Sequence, residues 1–319
     1  MKKQILLSFL VGAVLPLMLA ALFQKTPPVP EAESESIGPA QSIRESDPET
    51  VLTVVNRAGN LQQMTLRDYL VGVVLAEMPA DFEPEALKAQ AVVARTYTRK
   101  RMEGSKHEGA CVCMDPGCCQ GWQSGEDYLE AGGRERSLNK VRSAVADTDG
   151  LVLRWEGKLI DATYFSCSGG ITEDAVAVWG QDVPYLQSVQ SPGEEEAPRF
   201  TDTVTFSPAQ LAEKLGLSGT GDPAEWFGNV TYTDGGGVEA MVIRGQTFSG
   251  TQLRQKLGLR STAFSVRASA DAITITTRGF GHRVGMSQYG AQAMAQSGST
   301  YDEILAHYYS GAELFREEP

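Results

Sequence analysis

The chain has 319 residues, and its 40 acidic against 28 basic side chains give a formal net charge of −12. This balance argues against nucleic-acid binding, because neutralising phosphates requires clustered Lys and Arg residues. The hydrophobic fraction of 42% is ordinary for a globular protein and is enough for a packed core.

The first 23 residues predict a membrane anchor. Lys2 and Lys3 precede an uncharged apolar run over residues 5–23, which is long enough to cross a bilayer as a helix. The basic flank places the N-terminus in the cytoplasm and the rest of the chain outside. A cleavable signal peptide is the alternative, but the run is longer than a typical signal core and no A-x-A site precedes Gln24. We therefore expect a single-pass cell-membrane protein whose body is extracytoplasmic.

Residues 24–49 predict a flexible linker. They are rich in Pro, Ser and Glu and poor in aliphatic residues. Such a segment cannot bury enough apolar surface to offset its ordering entropy. The folded body is accordingly predicted over residues 50–319.

The body begins with a predicted β-hairpin, in which an alternating run, a Gly-containing turn and a second strand-like stretch span residues 51–65. Thr65 can cap a helix that ends at Glu77-Met78, since Pro79 disfavours helical geometry in the residue before it. Pro84 suits the first turn of a second helix, whose apolar residues predict one buried stripe: Ala86, Leu87, Ala91, Val92 and Ala94.

Further helices and strands follow without regular alternation. Residues 130–147 predict a helix, residues 150–170 strands, and residues 201–270 short strands with a helix around 209–215. Three later helices have candidate N-cap residues: Ser249, Ser287 and Thr300. The chain contains no G-x-G-x-x-G or P-loop motif. The predicted fold class is α+β, with mixed helices and antiparallel strands in one body.

Glu77 is the first candidate for chemistry. It ends a helix whose preceding residues are mostly apolar. A Glu in such surroundings loses hydration, which raises its pKa and keeps it protonated, as a general acid requires. The alternative is an ordinary solvated Glu at a helix end. On the next helix, Lys88 and Arg95 are seven residues apart and share a face, so they could orient a polar substrate or could form a solvated edge.

Two later stretches are typical of binding grooves. TYFSCSGGITE places Tyr164 for stacking and Ser168 for hydrogen bonding at the end of a strand, although Gly-rich turns end many strands. GFGHRVGMSQYGA brackets His282 with glycines and adds the polar groups of Ser287 and Gln288. The alternative for this second stretch is a core loop that turns into a helix. A Ser nucleophile is not supported, because no G-x-S-x-G motif is present.

The stretch HEGACVCMDPGCCQ holds four of the five cysteines and one of the three histidines. His107, Cys113 and Cys119 repeat at six-residue intervals around a predicted turn, and imidazole with thiolate favours zinc. Cys118 or a water molecule could complete four ligands. Disulfides are the alternative, because an extracytoplasmic location favours them. The spacing alone leaves both readings open.

Three stretches in order resemble the stage II sporulation protein D family, which includes modifiers of autolytic amidases. They are LAEMPADFEPEALKAQAVVARTY, the H…C-x-D-P-x-C-C-Q loop, and GHRVGMSQYGA followed by a helix ending HYYSGAEL. TYFSCSGGITE, PYLQSV and SGTQLRQKLGLRSTAF add support, so the resemblance covers residues 51–316.

This resemblance implies a lytic transglycosylase that cleaves peptidoglycan glycan strands during sporulation engulfment, with stage II sporulation proteins M and P as partners. It places the catalytic glutamate at Glu77, the active-site Lys and Arg at Lys88 and Arg95, and zinc ligands at His107, Cys113 and Cys119. The chain departs from the family in two respects. Arg283 stands where the family usually has Gly, and Cys111 and Cys118 are additional thiols.

Three functions follow from these observations. In a lytic transglycosylase the substrate's own C6 hydroxyl attacks, so a single Glu can serve as acid and then base. A non-catalytic glycan-binding activator of an amidase is the second hypothesis. A zinc hydrolase with a metal-bound water is the third and the weakest, because catalytic zinc sites use His and carboxylate ligands more often.

Overall fold

The computed structural model describes residues 47, 49–198, 200–218 and 221–317. The predicted anchor (residues 1–23) and nearly all of the predicted linker lie outside these residues. In the part of the chain that is described, no helix combines the length and the apolar character needed to cross a bilayer.

The predicted helices occur in the predicted order, and α5 (Ala175–Trp179) is a short additional helix that was not predicted. Their described bounds are α1 (Leu66–Glu77), α2 (Pro84–Glu103), α3 (Gly125–Glu130), α4 (Glu135–Asp147), α5 (Ala175–Trp179), α6 (Pro208–Leu215), α7 (Gly250–Leu257), α8 (Gln288–Gln296) and α9 (Tyr301–Tyr308). Thr65 caps α1 by accepting a hydrogen bond from the Asp68 N–H at 3.1 Å. Ser249, Ser287 and Thr300 also stand at N-cap positions, as predicted.

The strands are β1 (Val51–Val55), β2 (Leu61–Thr65), β3 (Val112–Cys113), β4 (Leu151–Trp155), β5 (Lys158–Leu159), β6 (Tyr164–Phe165), β7 (Thr201–Phe206), β8 (Phe227–Tyr232), β9 (Val238–Ile243), β10 (Gln246–Ser249), β11 (Phe264–Ala268), β12 (Ile273–Arg278), β13 (Met286–Ser287) and β14 (Glu313–Arg316). They form small sheets in the orders β2-β1-β3, β10-β9-β8, β11-β12-β7, β13-β6 and β14-β4-β5. Most pairings are antiparallel, and the predicted hairpin is the β1–β2 pair. The α+β class is confirmed, with the short β1–β3 and β6–β13 pairings parallel.

One predicted helix is divided. Residues 130–147 read as a single helix, but α3 ends at Glu130 and α4 begins at Glu135. Gly132 lies between them with φ of +90°, a left-handed conformation that glycine adopts without steric cost. The Gly pair at 132–133 therefore breaks the helix.

Helix α2 lies at the centre of the first hydrophobic core, where α1, α4, α8, α9 and β4 pack against it. Every residue of its predicted stripe is fully buried, but so are Ala89 and Val93. Since neighbours cover α2 on several sides, its apolar surface is wider than one stripe.

A second hydrophobic core lies within residues 201–275. Helices α6 and α7 pack on the sheets of β7 to β12 around buried side chains such as Leu211, Ile243, Leu253 and Ile275. The sequence predicts one body, and the structure divides its interior into these two cores.

Candidate active site

A cavity of about 430 Å³ opens beside the end of α1. Its volume is within the range of small-ligand pockets. Four separate segments contribute its lining residues, which are Glu77, Pro116, Tyr164, Phe165, Ser166, Phe280, Gly281 and Gln288.

Backbone pairing brings the later segments of this lining together. Strand β6 runs parallel to β13, with Tyr164 opposite Met286. The N–H of Phe280 donates to the Cys167 carbonyl at 2.7 Å, and the Cys167 N–H donates back at 3.2 Å. The predicted groove stretches TYFSCSGGITE and GFGHRVGMSQYGA are therefore neighbours in the fold.

Glu77 is half-buried at the last residue of α1, with its carboxyl group in the cavity. Burial raises the pKa of this carboxyl, while the Gly121 N–H that donates to it and the neighbouring Tyr164 hydroxyl act in the opposite direction. The net shift is upward, so the group stays protonated at higher pH than a solvated Glu. The protonation predicted for a general acid is thus favoured here. Among the described residues of the lining, Glu77 is the only acidic one.

Gly121 holds this geometry because it has no side chain. A Cβ atom at this position would lie 3.0 Å from Oε1 of Glu77. The neighbouring Trp122 also packs closely on α1, where a Cβ on Gly72 would lie 2.1 Å from its ring nitrogen. The Gln123 N–H donates to the Gly72 carbonyl at 3.0 Å. These contacts fix the loop that follows the cysteines along α1.

The cysteine loop gathers four ligand atoms into one cluster. The donor atoms of His107, Cys113, Cys118 and Cys119 all lie within 4.8 Å of one another. Nε2 of His107 is 3.3 Å from Sγ of Cys119 and 3.7 Å from Sγ of Cys118. The predicted turn is present, with the Cys118 and Cys119 N–H groups donating to the Asp115 carbonyl at 3.0 and 2.8 Å. The cluster could hold a metal ion.

The remaining cysteines are outside this cluster. Cys111 is half-buried and Cys167 is buried, and within the described residues all five cysteines are free thiols. Cys118 is therefore the candidate for the fourth ligand among the described cysteines. Pro116, between the cluster's cysteines, also lines the Glu77 cavity, so the cluster and the cavity share one loop.

Two predicted substrate-binding residues line the cavity, and a third lies behind it. The Tyr164 hydroxyl donates to Oε1 of Gln120 at 3.3 Å, and Nε2 of Gln288 donates to Oε1 of Gln90 at 3.3 Å. His282 packs between aromatic rings, and its Nδ1 accepts from the Val284 N–H at 3.2 Å. Burial is the larger cause and the positive charge of nearby Arg254 the smaller one, and together they lower the pKa of His282 to about 4. Its ring is therefore neutral at pH 7.

Ser168 and Ser287 point toward a carboxylate that was not predicted from the sequence to belong to this region. Both hydroxyls donate to Glu194, which is almost fully buried. Glu194 also accepts from the N–H groups of Gly169 and Gly170 and from the Ser191 hydroxyl. Since Ser168 and Ser287 are completely buried, the expectation that they contact a substrate is not supported. By donating to the same Glu194 carboxylate, they instead connect the two groove stretches to each other.

Lys88 and Arg95 also lie away from the cavity lining. Nζ of Lys88 is 2.9 Å from Glu85 and 3.6 Å from Asp147. Arg95 has no exposed surface, and its Nε is 2.7 Å from the buried Asp47. A side chain without exposed surface cannot reach a glycan, so the expected substrate role of Arg95 is corrected to a structural one. Asp47 lies in the segment that was predicted to be a linker. Its buried ion pair with Arg95 makes it part of the folded body.

The fold and the site together define an α+β protein that places a buried glutamate beside a His/Cys cluster able to hold a metal ion. A family model described as Stage II sporulation protein matches residues 55–155. Stage II sporulation protein D of Bacillus subtilis (strain 168) is 41% identical over 261 residues, which is 80% of this chain and 76% of that protein.

Two further relatives are similar over most of the chain. Stage II sporulation protein D of Bacillus amyloliquefaciens is 39% identical over 288 residues, 88% of this chain and 82% of that protein. The Amidase enhancer of Bacillus subtilis (strain 168) is 31% identical over 304 residues, 77% of this chain and 40% of that protein. The chain belongs to the stage II sporulation protein D family.

Proposed function

We propose that this protein is a lytic transglycosylase that cleaves the bond between N-acetylmuramic acid and N-acetylglucosamine in peptidoglycan glycan strands. The observation that carries the proposal is Glu77, a single carboxyl group whose pKa is raised by burial in a ligand-sized cavity. Such a group can donate a proton to a glycosidic oxygen.

The same carboxyl group serves both halves of the reaction. Protonated Glu77 gives its proton to the glycosidic oxygen, and the bond from C1 of N-acetylmuramic acid to that oxygen breaks. The Glu77 carboxylate then takes the proton of the C6 hydroxyl as O6 bonds to C1. The strand ends in 1,6-anhydro-N-acetylmuramic acid, no water is consumed, and Glu77 is protonated again.

The number of carboxyl groups favours this reaction over hydrolysis. Glycoside hydrolases normally use two carboxyl groups on opposite sides of the bond, one acid and one base or nucleophile. Since Glu77 is the only acidic side chain among the described residues of the lining, an intramolecular nucleophile suits the cavity better. Tyr164 and Gln288 can hydrogen-bond the sugars that flank the bond.

The donor set of the cluster fits zinc. Tetrahedral ligands at about 2.3 Å from the ion are about 3.8 Å apart, and His107 lies 3.3 and 3.7 Å from two of the sulfurs. His107, Cys113, Cys118 and Cys119 would hold the ion. These ligands would cross-link, through the ion, the loop that supplies Pro116 to the cavity lining and the Gly121 N–H to Glu77. The ion would have a structural role, because a site with four protein ligands leaves no open position for water.

The cellular setting is proposed from the sequence and from the family. The apolar N-terminal run anchors the protein in the cell membrane, with the body on the extracytoplasmic side facing peptidoglycan. Membership of the stage II sporulation protein D family supports a role in sporulation engulfment. Stage II sporulation proteins M and P are the partners that this role implies.

A non-catalytic activator of a cell-wall amidase is the alternative. Its specific support is the similarity to a protein named Amidase enhancer. In that case the cavity would bind glycan without cleaving it.

Mass spectrometry of digested glycan distinguishes these functions. The full-length chain is incubated with peptide-free glycan strands, beside Glu77→Gln and a control, Glu103→Gln, at the end of α2. We expect 1,6-anhydro ends from the wild type and the control and none from Glu77→Gln. Reducing ends would indicate a hydrolase instead. Absence of any product, together with stimulation of an added amidase, would establish the alternative.

A further inference from the structure

Trp179, the last residue of α5, exposes 46% of its surface although it is the largest apolar side chain type. Large exposed apolar groups beside a groove mark binding surfaces, because leaving them in water forgoes the gain from burial. Trp179 is not among the residues that line the Glu77 cavity.

Ring contacts connect Trp179 to the Glu77 cavity. Its ring centroid is 5.4 Å from that of His282, and His282 is 5.6 Å from Phe165 in an edge-on contact. Phe165 is part of the cavity lining. Trp179 is therefore the outer end of an aromatic row that starts inside the cavity.

Phe280 adds a second exposed ring from the same short segment as His282. It lines the cavity and leaves 41% of its surface exposed. The Arg260 guanidinium covers one part of the ring, 5.0 Å from its centroid. The backbone of Phe280 is fixed by its two hydrogen bonds to Cys167. Both exposed rings thus have supported positions before any ligand arrives, which lowers the entropic cost of binding.

We propose that Trp179 and Phe280 form an aromatic subsite that binds a sugar residue of the glycan strand outside the Glu77 cavity. Aromatic faces carry partial negative charge, so they attract the C–H groups on the flat side of a pyranose ring. The surface is continuous with the cavity, which makes a further unit of the same polymer its occupant. The identity of this ligand rests on the proposed function. The subsite would set the shortest strand that binds well.

Calorimetric titration with N-acetylglucosamine oligomers of two to six units tests the subsite. The full-length chain carries Glu77→Gln throughout, so that binding is measured without cleavage. We expect affinity to increase with length in this background. Adding Trp179→Ala or Phe280→Ala should weaken binding of the longest oligomer by about tenfold, the effect of one stacking contact. The shortest oligomer should bind unchanged to the Trp179→Ala variant, because Trp179 is not part of the cavity lining.

Two control variants separate stacking from folding. Trp179→Phe should retain most of the affinity, because a ring remains at that position. Phe315→Ala removes an equally exposed ring, 42% exposed on β14, and should have no effect. Equal affinity of Trp179→Ala and its parent for every oligomer, or no binding by the parent, would overturn the subsite. Loss of affinity in Trp179→Ala, with no cleavage by wild type, would retain the subsite and remove the transglycosylase.

Discussion

Arg283 and Glu173 form an ion pair, with Nη1 and Oε1 2.9 Å apart and both side chains almost fully buried. The guanidinium also donates to the carbonyls of Ile171 and Gly235, and Glu173 accepts from the Gly237 N–H. Gly235 and Gly237 lie in the turn between β8 and β9. The pair therefore joins the loop beside the cavity to the second core.

Replacing Arg283 with Gly tests the importance of this connection. Arg283 has φ of +68°, so glycine would relieve its backbone strain. The variant would nevertheless leave the Glu173 carboxylate buried without its partner, which typically costs about 3–5 kcal/mol. We expect a net loss of unfolding free energy, measured by denaturant titration. The double variant with Glu173→Gln should recover part of it, whereas equal stability of Arg283→Gly and wild type would show that the pair does not hold the cores together.

Gly121→Ala should impair catalysis more than stability. The new Cβ would stand 3.0 Å from Oε1 of Glu77 and push the carboxyl group by a few tenths of an ångström. Small displacements of a reacting group are costly, and we expect kcat/KM to fall about tenfold. The melting temperature should change little. Gly104→Ala, where a Cβ meets no atom within 4 Å, is the control. Full activity in Gly121→Ala would mean that the carboxyl position is not critical.

Tyr164→Phe should move the pH dependence of the reaction. Because the Tyr164 hydroxyl lowers the pKa of Glu77, its removal raises that pKa further. A general acid works in its protonated form, so activity is present below this pKa and lost as pH rises through it. The alkaline limb of the kcat/KM profile should therefore shift to higher pH. Tyr185→Phe, whose hydroxyl accepts from the Asp161 N–H at 3.1 Å, should leave the limb in place. A shift to lower pH would contradict the role given to Tyr164.

Single cysteine variants can identify the metal ligands. Cys118→Ala removes one of the four clustered donors, and we expect bound zinc to drop well below the wild-type ratio. The melting temperature should fall with it, because metal binding contributes to folding. Cys111→Ala changes a thiol outside the cluster and should retain the wild-type content, measured by plasma mass spectrometry. Full zinc content in Cys118→Ala would indicate that water is the fourth ligand.

Local signals in the sequence predicted the local structure well. The caps at Thr65, Ser249 and Ser287 follow from side chains that bond backbone groups within three residues. The cysteine loop is predictable for the same reason, since its turn and spacing are contained in one short segment. Glu77 could be selected because its helix is apolar and ends at a proline.

Longer-range features could not be predicted. In the sequence, Ser168 and Ser287 look like hydroxyls of a binding groove. The structure shows that both donate to Glu194, which is 26 residues from Ser168 and 93 residues from Ser287. Arg95 shares a helical face with Lys88, but its burial depends on Asp47, in a segment whose composition predicts a linker. Trp179 is one apolar residue in a short helix, and only the fold shows that its ring is exposed beside His282.

The cavity joins segments that are far apart in the chain, so it cannot form until all of these segments have been synthesised. Glu77 and the four clustered donors have all been synthesised once Cys119 is added, whereas the wall formed by Phe280, Gly281 and Gln288 is added much later. A chain synthesised only to Cys119 carries Glu77 and the clustered His and Cys side chains but lacks the residues that complete the cavity. The order of the chain itself therefore delays the complete cavity until this last wall has been synthesised.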